Sequence, residues 1–277
     1  MNINIIDYRG DNTIINTRGE TLFQYRTRYF HRIQEDFQPW SDAGHTFTCF
    51  TQHTNQNELF DDYWGFDKVI PIERCNAPQA RNHVLDYYAK GEWIGIWDND
   101  ASVYLDKLDT RNFIKNVDTI AQEADALGIV SFVPFNAQQA PYPKKPQRWK
   151  PSVEQKGTMM FLKVMDWRYD ETLECLEDTE NALRLAQQGY KTAQTDLCSL
   201  REYQSAKSTI FAVDMAGKGR TAQQDRVEKY ARAKQQIETK LGDTIQNIKQ
   251  HHKNIWKNQN NAKYTILTPR EARIQCP

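Results

Sequence analysis

The sequence predicts an α/β fold, in which a sheet is flanked by helices. Short apolar segments bounded by Gly or Pro, which are typical of buried strands, recur along the first 200 residues. They alternate with segments whose apolar residues are spaced by three and four positions, which is the helical pattern. Strands that alternate with helices build a sheet covered by helices. After about residue 221 the strand pattern stops, and a helical extension is predicted.

Four strands and two helices are predicted in the first 100 residues. The strands lie at residues 3–8, 45–51, 68–72 and 91–100. A helix at residues 22–37 is expected to end at Pro39. A second helix at residues 78–90 has a proline near its first turn and Gly91 just past its end.

The elements after residue 100 follow the same alternation. Helices are predicted at residues 110–127 and 176–188, the latter closed by Gly189. Strands are predicted at residues 128–134 and 157–164, with a short edge strand at 190–193. Residues 138–151 contain four prolines and are expected to form an extended basic loop. Residues 221–257 are expected to form one long helix that contacts the body only in part.

Composition sets the class of protein. No run in the 277 residues is long enough to span a membrane, and the N-terminus lacks a signal-like pattern. We therefore expect a cytoplasmic protein, located in the host cytoplasm if a bacteriophage encodes it. Five scattered cysteines with no Cys-x-x-Cys indicate neither a disulfide framework nor a structural zinc site.

Charge is separated along the chain although the net charge is zero. Residues 201–277 contain 15 Lys and Arg against 7 Asp and Glu, a net charge of +8, whereas the first 200 residues contain 21 against 29, a net charge of −8. We predict a catalytic domain at residues 1–205 and a basic helical extension at 206–277 that contacts a polyanion. The alternative is a solvated helix whose Lys and Arg only maintain solubility.

The predicted strand at residues 91–100 ends in two carboxylates, Asp98 and Asp100. Residues i and i+2 of a strand point the same way, and open α/β sheets bind ligands beyond the carboxyl ends of their strands. Two adjacent carboxylates suit a hard divalent cation that bridges a diphosphate. The alternative is an ordinary acidic turn, because Asp and Asn are common turn residues.

Three motifs occur in a fixed order. Ala80-Arg81-Asn82 precedes the acidic strand, Trp97-Asp98-Asn99-Asp100 ends it, and Glu177-Asp178 opens a later helix. This order resembles the GT-A glycosyltransferases, whose Rossmann-type mixed sheet binds a nucleotide sugar. The resemblance covers about residues 1–200.

The resemblance implies a site and a reaction. It implies a UDP-sugar donor held by Arg81, Asn82, Asp98 and Asn99 and a Mn²⁺ or Mg²⁺ ion held by Asp98 and Asp100. Asp178, paired with Glu177, would be the general base of an inverting transfer. His252 is the late candidate for a third metal ligand.

Each of these residues also has a structural interpretation. Arg81 and Asn82 are equally typical of an exposed helix surface. Glu177 and Asp178 also complement the dipole of the helix that they open. Two adjacent histidines, such as His251 and His252, are common on polar helix surfaces.

The predicted acceptor is DNA with hydroxymethylated bases, either free or already glycosylated, because the chain is similar in size and layout to the small bacteriophage glycosyltransferases that modify hydroxymethylcytosine. Aromatic residues could stack on a displaced base, and Lys and Arg would neutralise phosphates. In the C-terminal extension the aromatic residues are Trp256 and Tyr264. In the basic loop the predicted contacts are Lys144, Lys145, Arg148, Trp149 and Lys150.

Three other functions are compatible with the sequence. A transferase acting on surface polysaccharide, lipid-linked sugar or protein would use the same donor chemistry. A nucleotidyltransferase also uses Asp-x-Asp with a metal, although no Gly-rich phosphate loop follows the first strand here. The third is a non-catalytic DNA-binding scaffold with a degenerate fold.

Overall fold

A mixed sheet forms the centre of the molecule. The computed structural model describes residues 1–7, 30, 33–52, 64–73, 75–98, 101–136, 142–153, 159–173, 175–202 and 222–258. The strands in these residues are β1 (Asn2–Asp7), β2 (Thr46–Thr51), β3 (Lys68–Pro71), β4 (Trp93–Asp98), β5 (Ala101–Val103), β6 (Ile129–Asn136), β7 (Lys150–Pro151), β8 (Met159–Lys163) and β9 (Lys191–Glu202).

Helices connect and flank the strands. In the same residues they are α1 (Gln38–Ser41), α2 (Ala77–Tyr87), α3 (Thr110–Ala126), α4 (Glu177–Gln187), α5 (Ala222–Leu241) and α6 (Ile245–Asn258). The predicted α/β class, a mixed sheet flanked by helices with a helical C-terminal extension, is confirmed.

The strand order brings the carboxyl ends of six strands to one side. The order is β3-β2-β1-β4-β8-β6-β9-β5, with β7 pairing with β9. β1 to β4 are mutually parallel, and β6 is parallel to β9. Because β8 is antiparallel to both β4 and β6, those two strands run in the same direction. The carboxyl ends of β1 to β4, β6 and β9 therefore share one edge, which we call the C-terminal edge.

The two faces of the sheet bury separate apolar cores. One face carries an aromatic core in which Phe161 stacks on Phe132 at 5.0 Å between ring centroids and on Trp40 at 6.2 Å. The other face packs Ile94 and Ile96 of β4 against Val84 of α2. Because neighbouring residues of a strand point to opposite faces, the near-continuous apolar pattern of β4 follows from burial on both sides.

The C-terminal helices pack on α4 and form a third core. Ile237 of α5 and Ile248 of α6 contact Leu183 and Ala186 of α4, and all four are buried. One long helix was predicted here, but the chain divides at Gly242, whose φ of +66° ends α5. Thr244 then begins α6, accepting a hydrogen bond from the Asn247 amide at 3.2 Å. No helix in the described ranges is long and apolar enough to cross a membrane.

One other prediction about elements was wrong. The edge strand at residues 190–193 is the start of the 12-residue β9, which lies between β6 and β5. Its continuation escaped prediction because it buries polar residues such as Thr195 and Asp196. The helix expected to end at Pro39 ends at residue 34 in the described residues, and Pro39 lies in the first turn of α1, where a missing N–H is harmless.

Some expectations concern residues outside the described ranges. Most of the helix predicted at residues 22–37 lies there, as do the 206–221 part of the extension and residues 259–277 with Tyr264. The strand β5, next to the acidic segment, was not predicted.

Candidate active site

Asp98 ends β4 at the C-terminal edge of the sheet. Alternation along the strand puts Asp98 on the face of Ile96, which α2 and α4 cover, while Trp97 is buried in the opposite core. The Asp98 side chain is 30% exposed, so a polar ligand has access to it. Asn99 and Asp100, predicted to bind the donor and the metal, lie outside the described residues.

Arg81 joins three acidic side chains that are distant in sequence. Its Nη1 pairs with Glu177 and lies 2.8 Å from Oδ1 of Asp178, and its Nη2 lies 3.5 Å from Oδ1 of Asp98. Arg81 is buried, so this is an internal ion-pair network rather than the exposed pair of the structural interpretation. The structure thus brings together Arg81, Asp98, Glu177 and Asp178, one or two residues from each of the three motifs.

The start of α2 fixes where Arg81 lies. The side chain of Asn76 accepts a hydrogen bond from the Gln79 amide at 2.9 Å, and the side chain of Gln79 accepts one from the Asn76 amide at 3.0 Å. This reciprocal capping box, with Pro78 in the first turn, defines the first residues of the helix. Arg81 follows in the next turn, on the side that faces the end of β4.

α4 presents its first-turn acids in two directions. Glu177 and Asp178 face Arg81, whereas Glu180 pairs with Arg184 at 3.0 Å between Oε1 and Nε. Burial raises the pKa of Glu180, and the Arg184 charge opposes that rise. Leu176, just before the helix, has a φ of +64°, an unusual conformation for Leu. The acidic pair therefore follows a strained turn, a feature that clusters at functional sites.

The cluster carries excess negative charge, but the described residues contain no group of three or more His, Cys, Asp or Glu side chains arranged to hold a metal ion. Burial opposes the charge of Arg81, but the carboxylates of Asp178, Asp98 and Glu177 outweigh it and raise the pKa of Arg81 well above its ordinary value. One guanidinium against three carboxylates leaves an excess of two negative charges when all are ionised. Oxygen ligands with excess negative charge are what Mg²⁺ and Mn²⁺ prefer.

Tyr169 is part of the site and was not identified from the sequence. Its ring lies under the Arg81 guanidinium, with 5.5 Å between Cζ and the ring centroid. Burial and then the Asp178 charge raise the pKa of Tyr169 well above its ordinary range, so the hydroxyl stays protonated. No local motif marks this residue, because its place depends on how its loop packs against α2.

Asn82 has a structural role that differs from the predicted one. Its Oδ1 accepts a hydrogen bond from the Tyr169 amide at 2.8 Å, and its Nδ2 donates to the Tyr169 carbonyl at 3.1 Å and to Glu171 at 2.9 Å. The buried amide is thus occupied by the protein and is not presented to a donor. Asn82 instead holds Tyr169 against Arg81.

His252 is not placed to bind a metal beside Asp98. It is buried on α6, where its Nε2 accepts hydrogen bonds from the Thr192 amide and from Trp256 Nε1, both at 3.1 Å. Thr192 is near the amino end of β9, at the opposite end of the sheet from Asp98 and three strands away, about 14 Å across the sheet. Burial, assisted by His251 and Lys191, lowers the pKa of His252 to about 4.

The predicted DNA contacts divide into two groups. Trp149 is buried, and its Nε1 donates to Glu123 at 3.0 Å, so its ring cannot stack on a base. Arg148 pairs with Glu123 at 2.5 Å, and Lys150 pairs with the fully buried Asp196 at 2.6 Å. Lys144 and Lys145 are exposed as predicted. Trp256 is also buried and cannot serve as a stacking surface.

No family profile matches the chain. No curated protein matches it either. Among solved structures, the chain is similar to GalNAc-T7 crystallised with UDP, GalNAc and Mn²⁺, with 13% identity, a TM-score of 0.46 and coverage of 73% of this chain. The chain spans 42% of the length of GalNAc-T7. It is also similar to residues 1–349 of TarS from S. aureus, with 11% identity, a TM-score of 0.42 and coverage of 95% of this chain and 73% of that one.

Proposed function

We propose that this protein is a divalent-metal-dependent glycosyltransferase that moves a sugar from a nucleoside-diphosphate sugar, with UDP the preferred nucleotide, to an acceptor hydroxyl. The observation that carries the proposal is the convergence of Arg81, Asp98, Glu177 and Asp178 at the C-terminal edge. Three motifs that resemble the GT-A pattern supply these four residues. Their meeting at the edge where α/β sheets bind ligands supports that resemblance.

When the nucleoside diphosphate leaves the donor sugar, positive charge beside it must stabilise its negative charge. Asp98, together with Asp100, would hold Mn²⁺ or Mg²⁺, and the excess negative charge of the cluster fits such an ion. The ion would stabilise the charge that develops on the diphosphate. Arg81 is buried among the carboxylates, so we assign it the positioning of Asp98 and Asp178 rather than direct contact with the donor.

The acceptor hydroxyl needs a general base to remove its proton. Asp178 is 9% exposed and is held by Arg81, so its carboxylate has a defined position at the edge of the sheet. A carboxylate there can accept the proton of a hydroxyl as that hydroxyl attacks the anomeric carbon. A base that deprotonates an attacking acceptor in a single displacement gives inversion, which is the stereochemical outcome we propose.

For the acceptor we propose DNA that carries hydroxymethylated bases. The support that remains is electrostatic: Lys144 and Lys145 of the basic loop are exposed, and exposed lysines can neutralise the phosphates of a polyanion. Transfer to surface polysaccharide, lipid-linked sugar or protein is the competing outcome.

The donor proposal is tested by calorimetric titration of UDP in the presence of manganese. Asp98→Asn should abolish metal-dependent UDP binding, and Asp178→Asn should retain it while losing transfer. The matched control is Asp166→Asn, which removes an exposed carboxylate paired with Lys90 on the surface. Metal-dependent UDP binding by Asp98→Asn equal to that of the wild type would refute the assignment.

The acceptor proposal is tested separately with a panel of nucleotide sugars. Transfer to hydroxymethylcytosine DNA should exceed transfer to plain DNA. Transfer to oligosaccharide or to lipid-linked sugar without any transfer to DNA would replace the acceptor and leave the donor proposal standing.

A further inference from the structure

The basic loop, of which the structure describes residues 142–151, is anchored at its C-terminal half. Trp149 packs edge-on against Phe132 at 5.1 Å between centroids, and its neighbours form ion pairs with the body. The Asp196 amide donates to the Gln147 carbonyl at 2.9 Å, and the Gln147 amide donates to the Asp196 carboxylate at 2.9 Å. These contacts fix the loop on the sheet, so the side chains that it leaves exposed are held in place.

Tyr142 is the exposed aromatic side chain of this loop, with 39% of its surface accessible. Its hydroxyl lies 3.3 Å from Oγ of Ser199, and its ring centroid lies 5.7 Å from that of Phe135. Nζ of Lys107 lies 5.8 Å from the ring centroid on one side. The ring is therefore oriented by three neighbours while much of it faces solvent.

Tyr142 lies at the C-terminal edge, as Asp98 does. Phe135 pairs with Ser199 close to the carboxyl ends of β6 and β9. Only β8 separates β4 from β6, which corresponds to about 10 Å across the sheet. The Tyr142 ring and the acidic cluster therefore lie along the same edge of the sheet, where one extended acceptor could contact both.

The charge around Tyr142 is positive. Lys107, Lys144 and Lys145 are exposed, and Pro143 and Pro146 restrict the backbone just before and just after the two loop lysines. Asp106, next to Lys107, is paired with Arg111 at 3.2 Å. An oriented aromatic ring flanked by lysines is the combination that binds single-stranded nucleic acid, because bases stack and phosphates are neutralised.

We propose that Tyr142 is the stacking platform for the acceptor base of a nucleic-acid strand and that Lys107, Lys144 and Lys145 contact its phosphates. The proposal rests on the glycosyltransferase function proposed above and specifies how its acceptor is held. A sugar ring would also stack on Tyr142, but it would leave the three lysines without anionic partners. The base, extruded or already single-stranded, would present its hydroxymethyl group toward Asp178.

The test compares two short fluorescein-labelled single-stranded DNAs by fluorescence anisotropy. One contains a single hydroxymethylcytosine, and the other has an abasic residue at that position. The wild type should bind the first about 5- to 100-fold more tightly, as expected for one stacked base. Tyr142→Ala should bind both strands equally, and Tyr142→Phe should retain the difference. Lys144→Gln with Lys145→Gln should weaken both complexes alike and reduce the salt dependence by about 1.4 in logarithmic slope.

Tyr87 supplies a matched control. It is also an exposed tyrosine, 46% accessible, with Lys68 Nζ 5.9 Å from its ring centroid, but Lys68 begins β3 at the opposite edge of the sheet. Tyr87→Ala should leave binding of both DNAs unchanged. The proposal is overturned if Tyr142→Ala still distinguishes the two strands, if the wild type does not, or if the wild type binds an oligosaccharide and neither strand.

A titration of UDP with manganese on the same preparations separates the two proposals. Normal UDP binding without preference for the base-containing strand defeats the Tyr142 platform alone. If the wild type shows no metal-dependent UDP binding, the proposed glycosyltransferase function is wrong, whatever the DNA result.

Discussion

Nη1 of Arg81 lies 2.8 Å from Oδ1 of Asp178, although the two residues belong to different helices, one before and one after the acidic strand in the sequence. The same guanidinium reaches Asp98 with its other terminal nitrogen. A planar guanidinium can serve several carboxylates at once, which a lysine ammonium cannot do with the same geometry. Arg81 therefore links the carboxylate that ends β4 to the carboxylate in the first turn of α4.

Replacement of Arg81 tests this coupling through stability. Arg81→Ala leaves buried carboxylates without their counter-charge and should lower the free energy of unfolding by about 3–5 kcal/mol. Arg111→Ala, which breaks an exposed pair with Asp106, should cost less than about 1 kcal/mol. Urea denaturation of both variants measures the difference. Equal stability of the two variants would mean that Arg81 does not organise the acidic cluster.

Gly95 tests the packing of β4 at the centre of the sheet. A Cβ at this position would lie 2.8 Å from Cδ1 of Ile3 and 3.3 Å from Cε1 of Phe161. Gly95→Ala should therefore cost about 1–3 kcal/mol by overpacking. Ile3→Val removes the closest atom, so the double variant should cost less than the sum of the two single changes. Strict additivity in urea denaturation would show that Cδ1 of Ile3 is not the obstacle.

The buried, neutral side chain of His252 leads us to predict that the folded protein loses stability in mild acid. Burial lowers its pKa from the ordinary 6.5 to about 4, so between these values the unfolded chain binds a proton that the folded protein does not. The contribution is complete above pH 6.5, falls as the pH drops and is lost near pH 4, by roughly 3 kcal/mol in total.

A comparison of two histidine variants isolates this effect. His252→Asn should give a flatter dependence of the free energy of unfolding on pH between 6.5 and 4 than the wild type. His251→Asn, at the exposed neighbouring position, should follow the wild-type curve closely. A wild-type slope retained in His252→Asn would assign the acid sensitivity to another group.

The ion pair of Lys240 on α5 with Asp170 predicts a second, weaker dependence of stability on pH, in a more acidic range. Burial opposes ionisation of Asp170, but hydrogen bonds from Lys240 and Thr172 outweigh it and lower the pKa of Asp170 below the ordinary 3.8. The stabilisation is present above that value and is lost as the pH falls through the lowered pKa. Because Lys240 is largely exposed, Lys240→Met should cost under about 1 kcal/mol at neutral pH.

The measurement is the free energy of unfolding of Lys240→Met and of the wild type at a series of acidic pH values. The difference between the two should vanish once Asp170 is protonated, and Lys253→Met, an exposed lysine on α6, should show no such difference at any pH. A cost for Lys240→Met that persists unchanged in acid would assign its effect to packing instead.

Local patterns were sufficient to predict most elements of the fold. The spacing of apolar residues predicted α3 at Thr110–Ala126, and continuous apolar segments predicted β1, β4 and β8. The rest of β9 was missed because it buries polar residues such as Thr195 and Asp196, and the partners that satisfy Asp196, Lys150 and Gln147, come from another segment. The break between α5 and α6 was missed although Gly242 marks it, because sparse apolar residues continue on both sides.

The residues of the candidate site were easier to predict than their roles. Motif order named Arg81, Asp98, Glu177 and Asp178, and the structure brings these four together. Asn82 and Trp149 are buried by segments distant in the sequence. No local sequence pattern shows whether such a side chain faces a ligand or the protein interior. Tyr169 and Tyr142 depend in the same way on how loops pack.

The contact of α5 and α6 with α4 limits how the C-terminal region can be studied. A chain shortened to end before residue 222 would expose Leu183 and Ala186, on the same helix that carries Asp178. Such a deletion would disturb the acidic cluster and remove the lysines of α6 at the same time, so a loss of UDP or DNA binding would not show which of the two is responsible. Substitution of individual lysines on an intact chain separates the two, and any shortened form of the protein would first need polar residues on the face of α4 that α5 and α6 cover.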